Sequence, residues 1–147
     1  MAFECIAVPT NAAKRYIALN GMYGSSAIVK YFGITDGGHN QLDPSIALAV
    51  DPSDPEMPGA PPLFGPEPID DKILQSDFCP VYVCKILAGE YSGFMSSIGL
   101  YAEYVYIDPS DPDPPTIGDQ FLYAVCNRPL LTLTNVDAPT FNVTVFF

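Results

Sequence analysis

At 147 residues with a formal net charge of −11, the chain has the length of one ordinary domain, and that length buries about 70% of the surface of the unfolded form. Hydrophobic residues make up 48% and charged residues 16%, the reverse of a disordered composition, and 6 Lys+Arg against 17 Asp+Glu argue against a nucleic-acid partner. No run of about 20 apolar residues could cross a membrane as a helix, and the start, MAFECIAVPTNAAKR, with Glu4 ahead of its apolar run and no early cation, does not read as a signal peptide.

Thr10-Asn11 ahead of AAKRYIAL predicts a helix start, because either side chain can satisfy free N–H groups of the first turn. Ala13, Tyr16, Ile17 and Asn20 then share one stripe, and Gly21 is the expected stop. Residues 27–34 (AIVKYFGI) are rich in β-branched and aromatic side chains and end at the turn Thr35-Asp36-Gly37-Gly38. Residues 69–76 (IDDKILQS) are ambiguous between a helical turn and a strand. Residues 78–87 (FCPVYVCKIL) read as a strand in which Pro80 implies an edge position or a late start.

Residues 98–107 (IGLYAEYVYI) alternate Ile98, Leu100, Ala102, Tyr104 and Tyr106 against Gly99, Tyr101, Glu103, Val105 and Ile107. Short strands follow at 121–126 and 130–133, then a turn at 135–137. In the last segment, 141–147 (FNVTVFF), period two puts Phe141, Val143, Val145 and Phe147 on one face and Phe146 on the other. Strands in series with no helix between them argue against a parallel sheet. The expected fold is mainly β: one domain over 1–147, an antiparallel β-sandwich or small barrel with one short N-terminal helix and two long Pro/Asp-rich loops.

Those loops hold eleven of the sixteen prolines, seven within 51–68 and four within 108–118, and both open with DPSDP. Proline lacks the N–H of a ladder, so both read as extended loops, expected to reach outward to neighbouring subunits. Eight of the seventeen acids lie on or beside them. The spacing D-P-S-D-P-D lacks the glycine turn and closing Glu of a calcium loop, so the acids read as solvated and no metal or other cofactor is expected.

Catalytic signatures are missing. No G-x-S-x-G, H-E-x-x-H, P-loop or G-x-G-x-x-G occurs, and the one histidine, His39, sits in a Gly-Gly-His-Asn turn that reads as solvated. No catalytic residue is assigned; an enzyme would need a pocket joining His39 to a rigid carboxylate. Cys5, Cys79, Cys84 and Cys126 form no zinc pattern, and Cys79 and Cys84 point to opposite faces of one strand. All four read as buried thiols acting as small hydrophobes, or as candidates for a disulfide between subunits. Asn142-Val143-Thr144 fits a glycosylation acceptor by chance inside a strand.

In order along the chain, Asn11-Ala12-Ala13, Lys30-Tyr31-Phe32-Gly33-Ile34-Thr35-Asp36-Gly37, Asp43-Pro44-Ser45-Ile46-Ala47-Leu48, Ser97-Ile98-Gly99-Leu100-Tyr101, Leu122-Tyr123-Ala124 and the final strand resemble a family of tailed-bacteriophage virion proteins. These are small tail-, collar- or baseplate-associated proteins and tail-fibre attachment domains. Asp36 replaces the second glycine of the family's G-x-G, and Ser97 replaces an acid that often precedes I-G-L. The resemblance implies a structural subunit of the virion, made in the host cytoplasm, whose partners are other virion proteins and copies of itself in a ring or trimer.

A mean hydropathy of +0.18 at so low a charge content, with Phe146 and Phe147 at the end of the last strand, makes these two residues the candidate oligomer contacts. Two alternatives stand beside this reading. One is a capsid decoration protein. The other is a carbohydrate-binding β-sandwich module that stacks sugars on Tyr91, Tyr101, Tyr104 and Tyr106.

Overall fold

The computed structural model describes residues 1–77 and 79–146 and is mainly β. In chain order the elements are β1 (Ala2–Pro9), α1 (Asn11–Tyr23), β2 (Ser26–Thr35), β3 (Phe64–Pro68), β4 (Asp71–Ser76), β5 (Cys79–Lys85), β6 (Gly93–Tyr106), β7 (Gln120–Leu133) and β8 (Thr140–Val145). The eight strands form a single curled sheet, a half-barrel, in the order β3-β2-β6-β7-β1-β8-β5-β4.

Every neighbouring pair is antiparallel except β1 with β8, which run parallel from Ala2↔Thr140 to Ala7↔Val145. This corrects the all-antiparallel expectation. A parallel pair needs a long crossover, and here the rest of the chain supplies it, because the two strands come from opposite ends of the sequence. β1 serves both halves of the sheet: its start pairs with β8 and its end with β7, at Val8↔Val125 and Pro9↔Ala124.

The concave side holds the core. Phe32, Ile34, Met95, Ile98, Leu100, Ala124, Phe141, Val143 and Val145 belong to one fully buried cluster, and Phe3 stacks on Phe141 at 5.3 Å. In β8 the buried residues are Phe141, Val143 and Val145, as period two requires. Phe147 lies outside the described residues.

Thr10 caps α1, its hydroxyl accepting from the Ala13 N–H at 3.1 Å and donating to the Leu122 carbonyl at 2.6 Å. The helix runs past Gly21 and ends at Gly24, whose φ of 87° suits glycine alone and whose N–H closes on the Asn20 carbonyl. Of the expected stripe only Ala13 is buried. Tyr16 packs edge-on to Tyr104, and Ile17 faces water.

Several strands exceed or shift their expected bounds. β6 begins at Gly93, five residues before Ile98. β7 is one strand rather than two: an irregularity between Met95↔Leu131 and Ser97↔Asn127 absorbs Arg128-Pro129-Leu130 without breaking the ladder. The ambiguous 69–76 segment contains β4, an exposed edge strand. β5 begins at Cys79, with Phe78 outside the described residues, and is not an edge. Pro80 is tolerated because β8 pairs with β5 only from Val81 onward.

The first proline-rich segment is also corrected. It does not reach outward as a free loop. Its end is β3, hydrogen-bonded to β2 at the other edge of the sheet, where Pro66 and Pro68 need no partner strand. Its middle sends Met57 onto the convex side, where Met57, Leu122 and Val125 form a second buried cluster with Val50 and Tyr101 against it. The second segment folds back on the end of α1: Ser25 Oγ donates to Asp111 at 3.0 Å and accepts from the Asp108 N–H at 3.0 Å.

Candidate functional site

The sequence-predicted residues do not converge on one place. Cys5, Cys84 and Cys126 are buried in the main core, and only Cys79 is partly exposed; all four are free thiols. The neighbouring Cys126 thiol, together with burial, holds Cys5 protonated well above the ordinary thiol range. Burial likewise pushes Cys84 up. Three of the four are therefore out of reach of another chain, which removes them as subunit bridges and leaves Cys79.

The four tyrosines offered for sugar stacking are scattered. Tyr91 packs on Phe64 and donates to the Phe94 carbonyl at 2.6 Å. Tyr101 lies beside the Met57 cluster, where burial, then Glu56, pushes its hydroxyl up to about 12. Tyr104 sits among Tyr16 and Phe121, and Tyr106 points to water. No row of rings results.

Several loop aspartates, most of them in the proline segments, share one local device. Asp43, Asp51 and Asp108 each accept, through one carboxylate oxygen, both the N–H and the hydroxyl of the serine two residues on, with hydroxyl distances of 2.6 Å in all three. Asp54 and Asp111 accept the N–H of Glu56 and Asp113 in the same way. Each D-P-S is thus a closed turn, with proline fixing φ at its second position. Those bonds hold Asp51 and Asp108 below the usual carboxylate value. Among the described residues no group of three or more His, Cys, Asp or Glu gathers at metal-binding spacing, and no helix is long and apolar enough to cross a membrane.

Two surface features stand out instead. The first is the convex side of the half-sheet β1-β8-β5-β4. In β1, Phe3, Cys5, Ala7 and Pro9 point inward, and Glu4, Ile6 and Val8 outward. The register joins Ile6, Thr144, Val81 and Ile73 into one row across four strands. Ile6 is 69% exposed, Ile73 49%, and Phe146, next on the outward side of β8, 48%, whereas Val81 between them is buried at 7%. Phe146 is thus placed outward as the pattern required; Ile6 and Val8 were missed, because a strand ahead of the helix was not anticipated.

The second feature is a cavity of about 480 Å³ beside the turn after β2, lined by Asp36, His39, Gln41, Phe94 and Leu130 with Gly37 and Gly59. His39 is 8% exposed, not solvated. Its Nδ1 lies 2.8 Å from Ser96 Oγ, which also accepts from the Gly38 N–H at 2.8 Å. Gly38 is obligatory here, since a Cβ would collide with the Ser96 carbonyl. Ser96 is fully buried and does not line the cavity, so this Ser–His pair offers no nucleophile to a substrate. Two smaller clefts, of about 250 and 300 Å³, flank Arg15, Tyr16 and Tyr104 between α1 and the second proline segment.

Compared with protein-family models, with curated proteins and with solved structures, the chain matches none.

Proposed function

We propose that the chain is a structural subunit of a tailed-bacteriophage virion, at the tail, collar or baseplate, packing against copies of itself and neighbouring virion proteins and carrying out no catalysis. The order of short motifs along the chain supports the particle class. The observation that carries the subunit role is the convex face of β1-β8-β5-β4. Ile6, Val8, Ile73 and Phe146 stand open to water on one sheet face of a small acidic domain. Several exposed apolar side chains on one sheet face are closed by partners in assembled proteins. The convex region of the other half-sheet is covered by Met57.

The test is the composition of the particle. Mass spectrometry of purified virions from the phage that encodes this chain should find it at a fixed copy number, and an Ile6→Ser/Phe146→Ser variant should be left out of the particle. Absence of the wild-type chain from purified virions, or unaltered incorporation of the variant, overturns the reading.

A further inference from the structure

The cavity beside His39 plays no part in the assembly reading, and its polar groups can be assigned one by one. Ser96 Oγ accepts from the Gly38 N–H, so its own proton must go elsewhere. Ser96 is fully buried, and among the described residues His39 Nδ1, at 2.8 Å, is the acceptor within reach. A buried hydroxyl that leaves its proton unused costs free energy, so Ser96 donates and Nδ1 accepts. The neutral ring then carries its proton on Nε2, the nitrogen away from Ser96. His39 lines the cavity, so Nε2, the ring nitrogen not held by Ser96, is the one left to donate to a ligand there. Asp36, exposed at the rim, offers acceptors only, and the Gln41 amide offers both. Phe94, 53% exposed, gives an open aromatic wall.

We propose that this cavity binds a neutral saccharide, the apolar face of one sugar ring lying on Phe94 and adjacent hydroxyls divided among Asp36, Gln41 and His39 Nε2. A hydroxyl donates and accepts at once, which suits a lining that mixes a donor, a carboxylate and an amide. Two other ligand classes fit worse. An anion would meet Asp36 and a chain of charge −11, with no Lys or Arg in the lining. A cation would match Asp36 and the ring but would face the His39 N–H. The frame is preformed: Gly37 is wedged against the backbone of Pro58 and Gly59, and Gly38 against Ser96. Little ordering is left for a ligand to impose. The site differs from the tyrosines first considered for sugars. Asp36 and Phe94 lie far apart in sequence, and only the fold brings them together.

The full chain is titrated with glucose, galactose, mannose and N-acetylglucosamine, followed by saturation-transfer NMR and by the amide shifts of 36–41 and 94. Methylguanidinium and acetate serve as cation and anion probes. At least one sugar should bind with a Kd on the order of 1 mM and shift those amides. Phe94→Ala should weaken it about tenfold, the loss expected for one ring contact, and Gln41→Ala should also weaken it, both with unchanged melting because Phe94 stands open and Gln41 is exposed. The proposal is overturned if none of the four sugars shifts these amides, if methylguanidinium or acetate shifts them at lower concentration than any sugar, or if both variants bind as the wild type does. Because the measurement needs only the isolated chain, it stands or falls apart from virion assembly.

Discussion

Met57 and Gly99 are locked against each other: a Cβ added at Gly99 would fall 2.5 Å from the Met57 sulfur and 3.0 Å from Leu122 Cδ1. A residue from a segment with seven prolines in eighteen residues therefore fills a groove that a glycine in the middle of β6 leaves open. Met57→Ala should cost about 2–4 kcal/mol in urea unfolding, the usual range for a buried Met truncated to Ala. Gly99→Ala should cost less, because the thioether can swing away. In the Met57→Ala background the Gly99→Ala penalty should shrink, since the two side chains compete for one space. Equal penalties in both backgrounds would show that Met57 does not occupy the groove.

The thiols should divide three to one. Reactivity needs an accessible thiolate, and Cys5, Cys84 and Cys126 lie within the core, with Cys5 and Cys84 also held protonated by their surroundings. Alkylation followed by mass spectrometry should modify Cys79 quickly and the other three only in denaturant. Fast labelling of Cys126 in the native chain would contradict its placement.

How much of this was legible in sequence differs by region. Period two in 141–147 predicted the buried face of β8, and the Thr10 cap was visible in Thr10-Asn11. β1 was not read as a strand, although its alternation of outward Glu4, Ile6 and Val8 with inward Cys5 and Ala7 is regular. Its partners β7 and β8 lie more than a hundred residues away, and nothing local announces a parallel pair across that distance. β3 was hidden because proline argues against a strand in general but not at a sheet edge. The cavity was invisible for the same reason as β1: His39 is drawn inward by Ser96, which only the β2–β6 pairing brings alongside.

The D-P-S turns give the chain an acid-sensitive element. Hydrogen bonds from Ser53 and Ser110 lower Asp51 and Asp108, and Lys30, 2.7 Å from Glu103, lowers Glu103. A carboxylate whose folded value lies below its unfolded value stabilises fully above the unfolded value and loses that contribution as pH falls through the folded one. Melting temperature should therefore hold near neutrality and fall below about pH 4. Lys30 has the opposite sign: raised above its ordinary 10.5 by Glu103, it contributes up to that pH and is lost only at higher alkalinity. Asp108→Asn should keep the turn, since the amide oxygen accepts the same bonds, while flattening part of the acid slope. Asp108→Ala should lower melting at neutral pH as well. An acid slope unchanged by Asp108→Asn would place its origin elsewhere.

The last prediction sets charge against apolar contact. Each subunit carries −11, so two copies repel, and at about 0.1 M salt that repulsion is felt over roughly 10 Å. The attraction is short-ranged and comes from the exposed apolar side chains of that face, Ile6, Val8, Ile73 and Phe146. Salt screens the first and leaves the second, so light scattering should show the mass of the isolated chain rising between about 0.05 and 1 M NaCl, where screening shortens to roughly 3 Å. Acidification toward the sequence pI of about 4.1 should act in the same direction until unfolding intervenes. Ile6→Ser and Phe146→Ser should abolish the salt-induced association without lowering the melting temperature, because both side chains are already open to water. Val143→Ser, one residue from Asn142 but facing the core, should instead unfold the chain. That contrast separates a lost contact between copies from a lost fold. A chain that stays monomeric across the whole salt range, or that associates equally well with Ser at positions 6 and 146, would show that this face is not where copies meet.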